Sequence, residues 1–409
     1  MTFLIFLIVL GILVFVHELG HFLVAKKAGV KVEEFGFGYP PRALKIGERW
    51  GTLFTLNWIP FGGFVKIFGE NYEPPVSEES ELGEPKGEEK IVISQETYSA
   101  QSTSQGIVQS FDSEQIELSI SESEKITNLN FTQVSKKWQA GILVAGVTFN
   151  ILFAWFLFSL GFMIGVPTSV DNNFGAVVKN PALTITGLAP DSPAQKSGLK
   201  TGDKITNIYN MNGDDIGSLT PETVSNFINK STERFSMEIN RGGEIFSFAP
   251  VPTEGLVENK KVVGISMDMV GTLSLPLHKA IYQGGKTTLQ LSYLTVMGIA
   301  NLIGDAVRGK ADVSQVAGPV GIIGLVGDAT RLGFSYLLTF TALISINLAV
   351  INLVPFPALD GGRILFVVIE GVAKKKISPK VAGVLNTVGF ALLIIIMLIV
   401  TYRDILRLF

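Results

Sequence analysis

Residues 15–23 read FVHELGHFL, and two histidines and a glutamate fall there inside an apolar run. The fifteen residues before His17, from Thr2 to Val16, carry no charge. His17-Glu18-Leu19-Gly20-His21 has the form H-E-x-x-H. On a helix, residues four apart share a face, so both imidazoles reach one ion. Zinc takes nitrogen and oxygen ligands in a tetrahedron and keeps one position open when it catalyses. Glu18, beside that face, is placed to take a proton from water and later pass it to a leaving amine. The alternative is a chance match with hydrogen-bonded core histidines. Unpaired polar groups in an apolar span cost several kcal/mol, which argues for a function.

The chain holds only three histidines and no cysteine, so thiolate ligands and disulfides are excluded. His278 reads as a surface residue. The best third ligand is Asp360, a carboxylate in the apolar stretch INLVPFPALDGGRILF. Pro355 and Pro357 break a helix before it, and Gly361-Gly362 allow close backbone approach. Asp360 as a helix N-cap is the competing reading, and the two roles are compatible.

The elements that must position these residues are membrane spans. Apolar residues make up 47% of the 409 and charged residues 17%, against about 25% charged in soluble domains. Four stretches are long and apolar enough to cross a bilayer. They give residues 1–27 with H-E-x-x-H, 138–166, a third region over 334–370 and a last helix over 381–403. The first lacks the basic start and small-residue cleavage site of a signal peptide. Lys26, Lys27, Lys136 and Lys137 flank the first connection, and Lys374, Lys375, Lys376 and Lys380 the last. Both connections are therefore expected on the cytoplasmic side, with 167–275 outside. A net charge of −3 gives no sign of nucleic-acid binding.

Between the spans, residues 28–70 are Gly-punctuated and β-prone, and suggest small hairpins at the membrane interface. Residues 71–135 form an acidic Ser/Glu/Gln-rich insertion, expected to be cytoplasmic and loosely ordered. Residues 170–270 read as one compact α+β domain. Residues 278–332 combine an amphipathic helix, expected from about Thr287 to Arg308, with a Gly-rich apolar segment.

Taken together, these motifs carry a resemblance. HELGH in the first span, GFGYPP after it, NLVPFPALDGG in the third, and SPAQKSGLKTGDKITNIYNMNG, which resembles a PDZ signature, are similar to the site-2 protease family and its RseP-like bacterial branch. The resemblance covers most of the chain in the same order. It implies a polytopic α-helical membrane protein with about four transmembrane helices, a membrane-associated β-hairpin element and one extracytoplasmic PDZ domain. It implies one Zn2+ per chain on His17, His21 and Asp360, Glu18 as catalytic base, and Asn352 contacting the substrate backbone. The β element of the family pairs with unwound substrate by strand addition. The implied enzyme is a zinc metalloendopeptidase of the bacterial cytoplasmic membrane, with its active site near the cytoplasmic side. It would cut single-pass membrane proteins already trimmed by another protease, such as anti-sigma factors or remnant signal peptides. Three features depart from the pattern: one PDZ domain rather than two in tandem, the acidic insertion, and AGVTFN without a proline, although Asn150 is in place. Two other functions remain as alternatives, a silent PDZ adaptor with a structural metal site and a metal transporter. Intact Glu18 opposes the first and the small number of spans the second.

Overall fold

The computed structural model describes residues 1–70, 129–172, 176–210, 212–231, 233–257, 260–310 and 317–406. Most of the acidic insertion, 71–128, lies outside them.

The first span is helix α1 (Thr2–Lys27), uninterrupted by proline and closed by Lys26 and Lys27. Cations in a last turn complement the helix dipole. Gly29 at φ 75° turns the chain into two long strands, β1 (Val32–Arg49) and β2 (Thr52–Ile67). The expectation of several small hairpins is corrected here to a single folded one. Glu34 to Phe37 pair with β2 on both sides, with 53–56 and with 63–66. Two strands thus build a sheet four segments wide, bent by repeated bulges at its glycines.

Helix α2 (Lys136–Ile164) packs against α1 and runs to Gly165, whose φ of 120° ends it. A sheet unit follows. It contains β3 (Val166–Ser169), β4 (Lys179–Leu188), α3 (Pro193–Ser197), β5 (Lys204–Tyr209), α4 (Pro221–Lys230), β6 (Ser236–Arg241), β7 (Glu244–Phe248), β8 (Thr253–Val257), β9 (Lys260–Val262) and β10 (Ile265–Leu273). The main sheet runs β3-β10-β4-β5-β6-β7, antiparallel throughout. Its core is Leu183, Ile185, Ile205, Ile208, Val224, Phe235, Met237 and Ile239. The short helix is defined by its caps: Ser192 accepts from Gln195 N–H, and Gly198 closes it in the left-handed region. A capping box of Thr220 and Thr223 starts α4.

The chain then enters α5 (Leu277–Val307), α6 (Pro319–Arg331), α7 (Phe334–Leu353), α8 (Asp360–Ala373) and α9 (Pro379–Leu406). The amphipathic helix begins ten residues before the Thr287 that the sequence pattern suggested. The third apolar region is two helices, with the break at 354–359 where Pro355 and Pro357 are expected to interrupt it. Among the described residues, four helices, α1, α2, α7 and α9, are long and apolar enough to cross a membrane. Only 11% of the α9 apolar window is buried within the protein, so lipid has to cover the remainder. Ala154, Phe158, Phe162, Val166, Leu273, Leu275, Leu338 and Ile346 form one core that joins the sheet unit to α2, α5 and α7.

Candidate active site

The three helices that carry the site, α1, α7 and α8, all pack against α2. Gly20 of α1 faces Ala145 of α2, where a Cβ on Gly20 would stand 2.5 Å from the Ala145 carbonyl oxygen. Gly146 is the reciprocal gap: a Cβ there would meet His21 Nε2 at 2.4 Å and His17 Nε2 at 2.8 Å. Small residues let membrane helices approach this closely. Together they make a slot for two imidazoles between α1 and α2. The pattern of small residues at a helix crossing was present in the sequence, but their partnership across distant positions was not.

His17 and His21 are each 5% exposed. Asp360 opens α8 and reaches both: its Oδ2 lies 2.9 Å from His17 Nε2 and 3.2 Å from His21 Nε2. The two Nε2 atoms are 3.2 Å apart. Ligand atoms around a tetrahedral ion held at ~2.0–2.1 Å stand ~3.3 Å apart, so this trio fits one zinc-sized ion. The N-cap of α8 is Leu359, not Asp360, and no side chain caps the helix. The capping alternative is thereby corrected: Asp360 is the first helical residue, and its carboxylate faces the histidines. Two close approaches aim it. A Cβ on Gly361 would fall 2.2 Å from the Val354 carbonyl, and one on Gly362 2.3 Å from that of Phe356. The Gly361-Gly362 pair lets the chain fold back tightly after the prolines. One turn on, Arg363 forms an ion pair with Glu70 at the end of β2. This fastens the hairpin to the helix that carries Asp360.

The other nitrogen of each imidazole sets its tautomer. His21 Nδ1 is 2.8 Å from the Ile142 carbonyl. It can only donate there, which leaves the Nε2 lone pair for a metal. His17 Nδ1 lies 3.3 Å from the Asn150 side-chain amide. Asn150 is fully buried, and its Oδ1 has no hydrogen-bond partner among the described residues. With the amide turned so that Oδ1 faces the ring, His17 Nδ1–H donates to it and the orphaned oxygen is satisfied. Both histidines then present Nε2 lone pairs to the point Asp360 faces. Ser345 Oγ donates to the Asn150 main-chain carbonyl at 2.8 Å and steadies that stretch of α2. Sequence reasoning assigned Asn150 no role at the site. The Asn150→Ala variant should bind zinc about 10–100-fold more weakly, with Asn150→Asp recovering most of the loss, as read by competition with a chelator.

Glu18 is half-buried and turns toward the hairpin; a Cβ on Gly63 would lie 3.9 Å from its Cγ. Asn352, in the last turn of α7, brings Nδ2 within 3.4 Å of His17 Nε2, long for a hydrogen bond. The five residues singled out in the sequence thus gather from α1, α7 and α8. His278 stays exposed and apart from them.

Two buried histidines and a part-buried aspartate, with a glutamate beside them and membrane-length helices around them, offer the donor set of a membrane-embedded metallopeptidase. Residues 5–396 match Peptidase family M50, and the chain belongs to that family. It is 32% identical to a protein of Oceanobacillus iheyensis named zinc metalloprotease RasP, over 99% of this chain and 98% of that one. A protein of the same name from Geobacillus kaustophilus is 30% identical over 99% and 97%. A putative zinc metalloprotease of Staphylococcus aureus, SA1105, is 30% identical over 100% and 99%.

Proposed function

We propose that this chain is a zinc-dependent intramembrane endopeptidase that hydrolyses peptide bonds within the transmembrane segments of single-pass proteins. The observation that carries the reading is the trio of His17, His21 and Asp360, with ligand atoms 2.9–3.2 Å apart between apolar helices. Zinc held there would polarise the scissile carbonyl and lower the pKa of water. The rest of the chemistry belongs to the chain. Glu18 removes a proton from the attacking water and delivers it to the leaving amine. Asn352, beside His17, holds the substrate backbone open near the scissile bond. Gly63 belongs to the edge segment of the hairpin sheet against α1. An unwound substrate adding as a strand to that sheet would present its carbonyl next to Glu18. His21 lies five residues before Lys26, about 7.5 Å along a helix, so water reaches the site from the basic, cytoplasmic end.

The sheet unit is a PDZ domain outside the cytoplasmic membrane, and it filters access to the site. Its support is the run of strand, capped short helix at 193–197, strand, helix and hairpin, matching the signature noted above. Substrates reach the site after another protease has trimmed their outer domain; anti-sigma factors and remnant signal peptides suit this description.

Purified enzyme should cleave a reconstituted single-pass substrate inside its apolar segment. Mass spectrometry of the products locates the cut, and a cut confined to exposed loops would sink the intramembrane reading. Because the chain lacks cysteine, single-cysteine variants report orientation cleanly. Lys137→Cys and Lys374→Cys should resist an impermeant thiol reagent applied to intact cells, whereas Lys230→Cys should react. The reverse pattern would invert the topology.

A further inference from the structure

Two cavities lie between the sheet unit and the ends of the membrane helices nearest to it. The smaller, about 490 Å3, is walled by Lys204, Asn180 and Asn240 from the sheet and by Arg331, Ser335 and Tyr336 from the α6–α7 corner. Two cations line it and no carboxylate does. The larger, about 910 Å3, is mainly apolar, with Phe158, Leu291, Leu325, Phe340 and Leu343 contributed by α2, α5, α6 and α7. Both volumes fall in the range of ligand sites, ~300–1,000 Å3. Arg331, Leu332, Tyr336, Gly202 and Gly242 border both chambers, so the two adjoin. Leu332 stands between them against Gly202, where a Cβ would come within 2.2 Å of its Cδ2.

The chambers sit at a particular depth. Ile164 and Gly165 close α2 and Phe334 opens α7, and all three line the polar chamber. It therefore lies at the end of the apolar spans, where lipid headgroups begin, while the apolar chamber extends along the helices. Basic pockets between membrane helices bind anionic headgroups. Lys204 has no ion-pair partner among the described residues. No nearby acid lines the polar chamber, and the one that pairs with Arg331 does so in an exposed contact that a phosphate would replace. Asp328, 3.8 Å from Arg331, borders only the apolar one. Asp203 does the same and is held by both Nε and Nη2 of Arg241, at 2.6 and 2.7 Å.

We propose that the joined chambers hold one anionic phospholipid, with its phosphate between Lys204 and Arg331 and an acyl chain among Phe158, Leu325 and Leu343. The lipid bridges the sheet unit to the α6–α7 corner and braces it over the membrane helices. This site is independent of the zinc reading.

The test uses the full chain in mild detergent, stripped of lipid and titrated with phosphatidylglycerol or phosphatidylcholine, with bound lipid counted by native mass spectrometry. Phosphatidylglycerol should bind at about one per chain and be preferred over phosphatidylcholine, and millimolar inorganic phosphate should not displace it. Lys204→Gln and Arg331→Gln should each weaken binding about fivefold, and together roughly thirtyfold. Leu325→Trp, which fills the apolar chamber and spares the cations, should also weaken it. Zinc content near wild type in each variant reports that the helix core is intact. Equal binding of the two lipids, or glutamine variants that bind like wild type, would leave only annular lipid and overturn the proposal. Displacement by inorganic phosphate would replace it with a simple anion site.

Discussion

Glu18→Gln should retain about one zinc per chain and lose cleavage by at least a hundredfold, the low end being set by the roughly 10²–10⁴ that a positioned acid–base group contributes. The substitution preserves shape, half-burial and the neighbouring Gly63. It leaves His17, His21 and Asp360 untouched, so the ion keeps its three ligands. What disappears is the carboxylate proposed to shuttle a proton between water and the leaving amine. Zinc analysis and cleavage of one reconstituted substrate on the same preparation separate the two effects. A Glu18→Gln enzyme that still cuts at near wild-type rate would remove Glu18 from the chemistry. A variant that loses its metal would mean that Glu18 is a ligand or a structural support.

Asp360→Ala should lose the metal itself. It removes the proposed ligand, whose Oδ2 lies within 3.2 Å of both imidazoles. Two histidines alone hold zinc poorly, so affinity should fall by more than the ~10–100-fold typical of outer partners, and cleavage should vanish with it. The fold should survive. Asp360 caps nothing, and its contribution to the α8 dipole is only about 0.3–1 kcal/mol. The Arg363–Glu70 pair and the close contacts of Gly361 and Gly362 still hold the helix in place. Metal content and thermal unfolding measured together decide the matter. Full zinc occupancy in the alanine variant would exclude Asp360 as a ligand, and His17→Ala offers the matched comparison from α1.

The reach of sequence reasoning follows the range of the interactions. His17 and His21 are four residues apart on one helix, so their shared face is a local property. The spans are equally local, since about eighteen or more apolar residues in a row have few other stable destinations. The caps at Ser192 and Gly198 and the capping box at Thr220 were written in the signature 192–213 and the helix after it. The boundaries that differed were set by packing. Helix α5 starts at Leu277 because its first turns lie on α2, with a Cβ on Gly284 only 2.3 Å from Ser159 Oγ. The hairpin became a sheet four segments wide because β1 is flanked twice by β2, a register no alternation pattern specifies.

The sequence alone determined the chemistry on offer: a pair of imidazoles and a carboxylate on one apolar helix, a second carboxylate behind two prolines, and spans to bury them. Only the tertiary structure decided that these groups meet. Asp360 comes within hydrogen-bond distance of His17 from 343 residues away, and Asn150 and the Ile142 carbonyl orient the two rings. Gly20 and Gly146 make the room, because a Cβ on the first would strike the Ala145 backbone and one on the second the two imidazoles. Such contacts depend on which faces of distant helices are brought together, and a one-dimensional pattern holds no record of that.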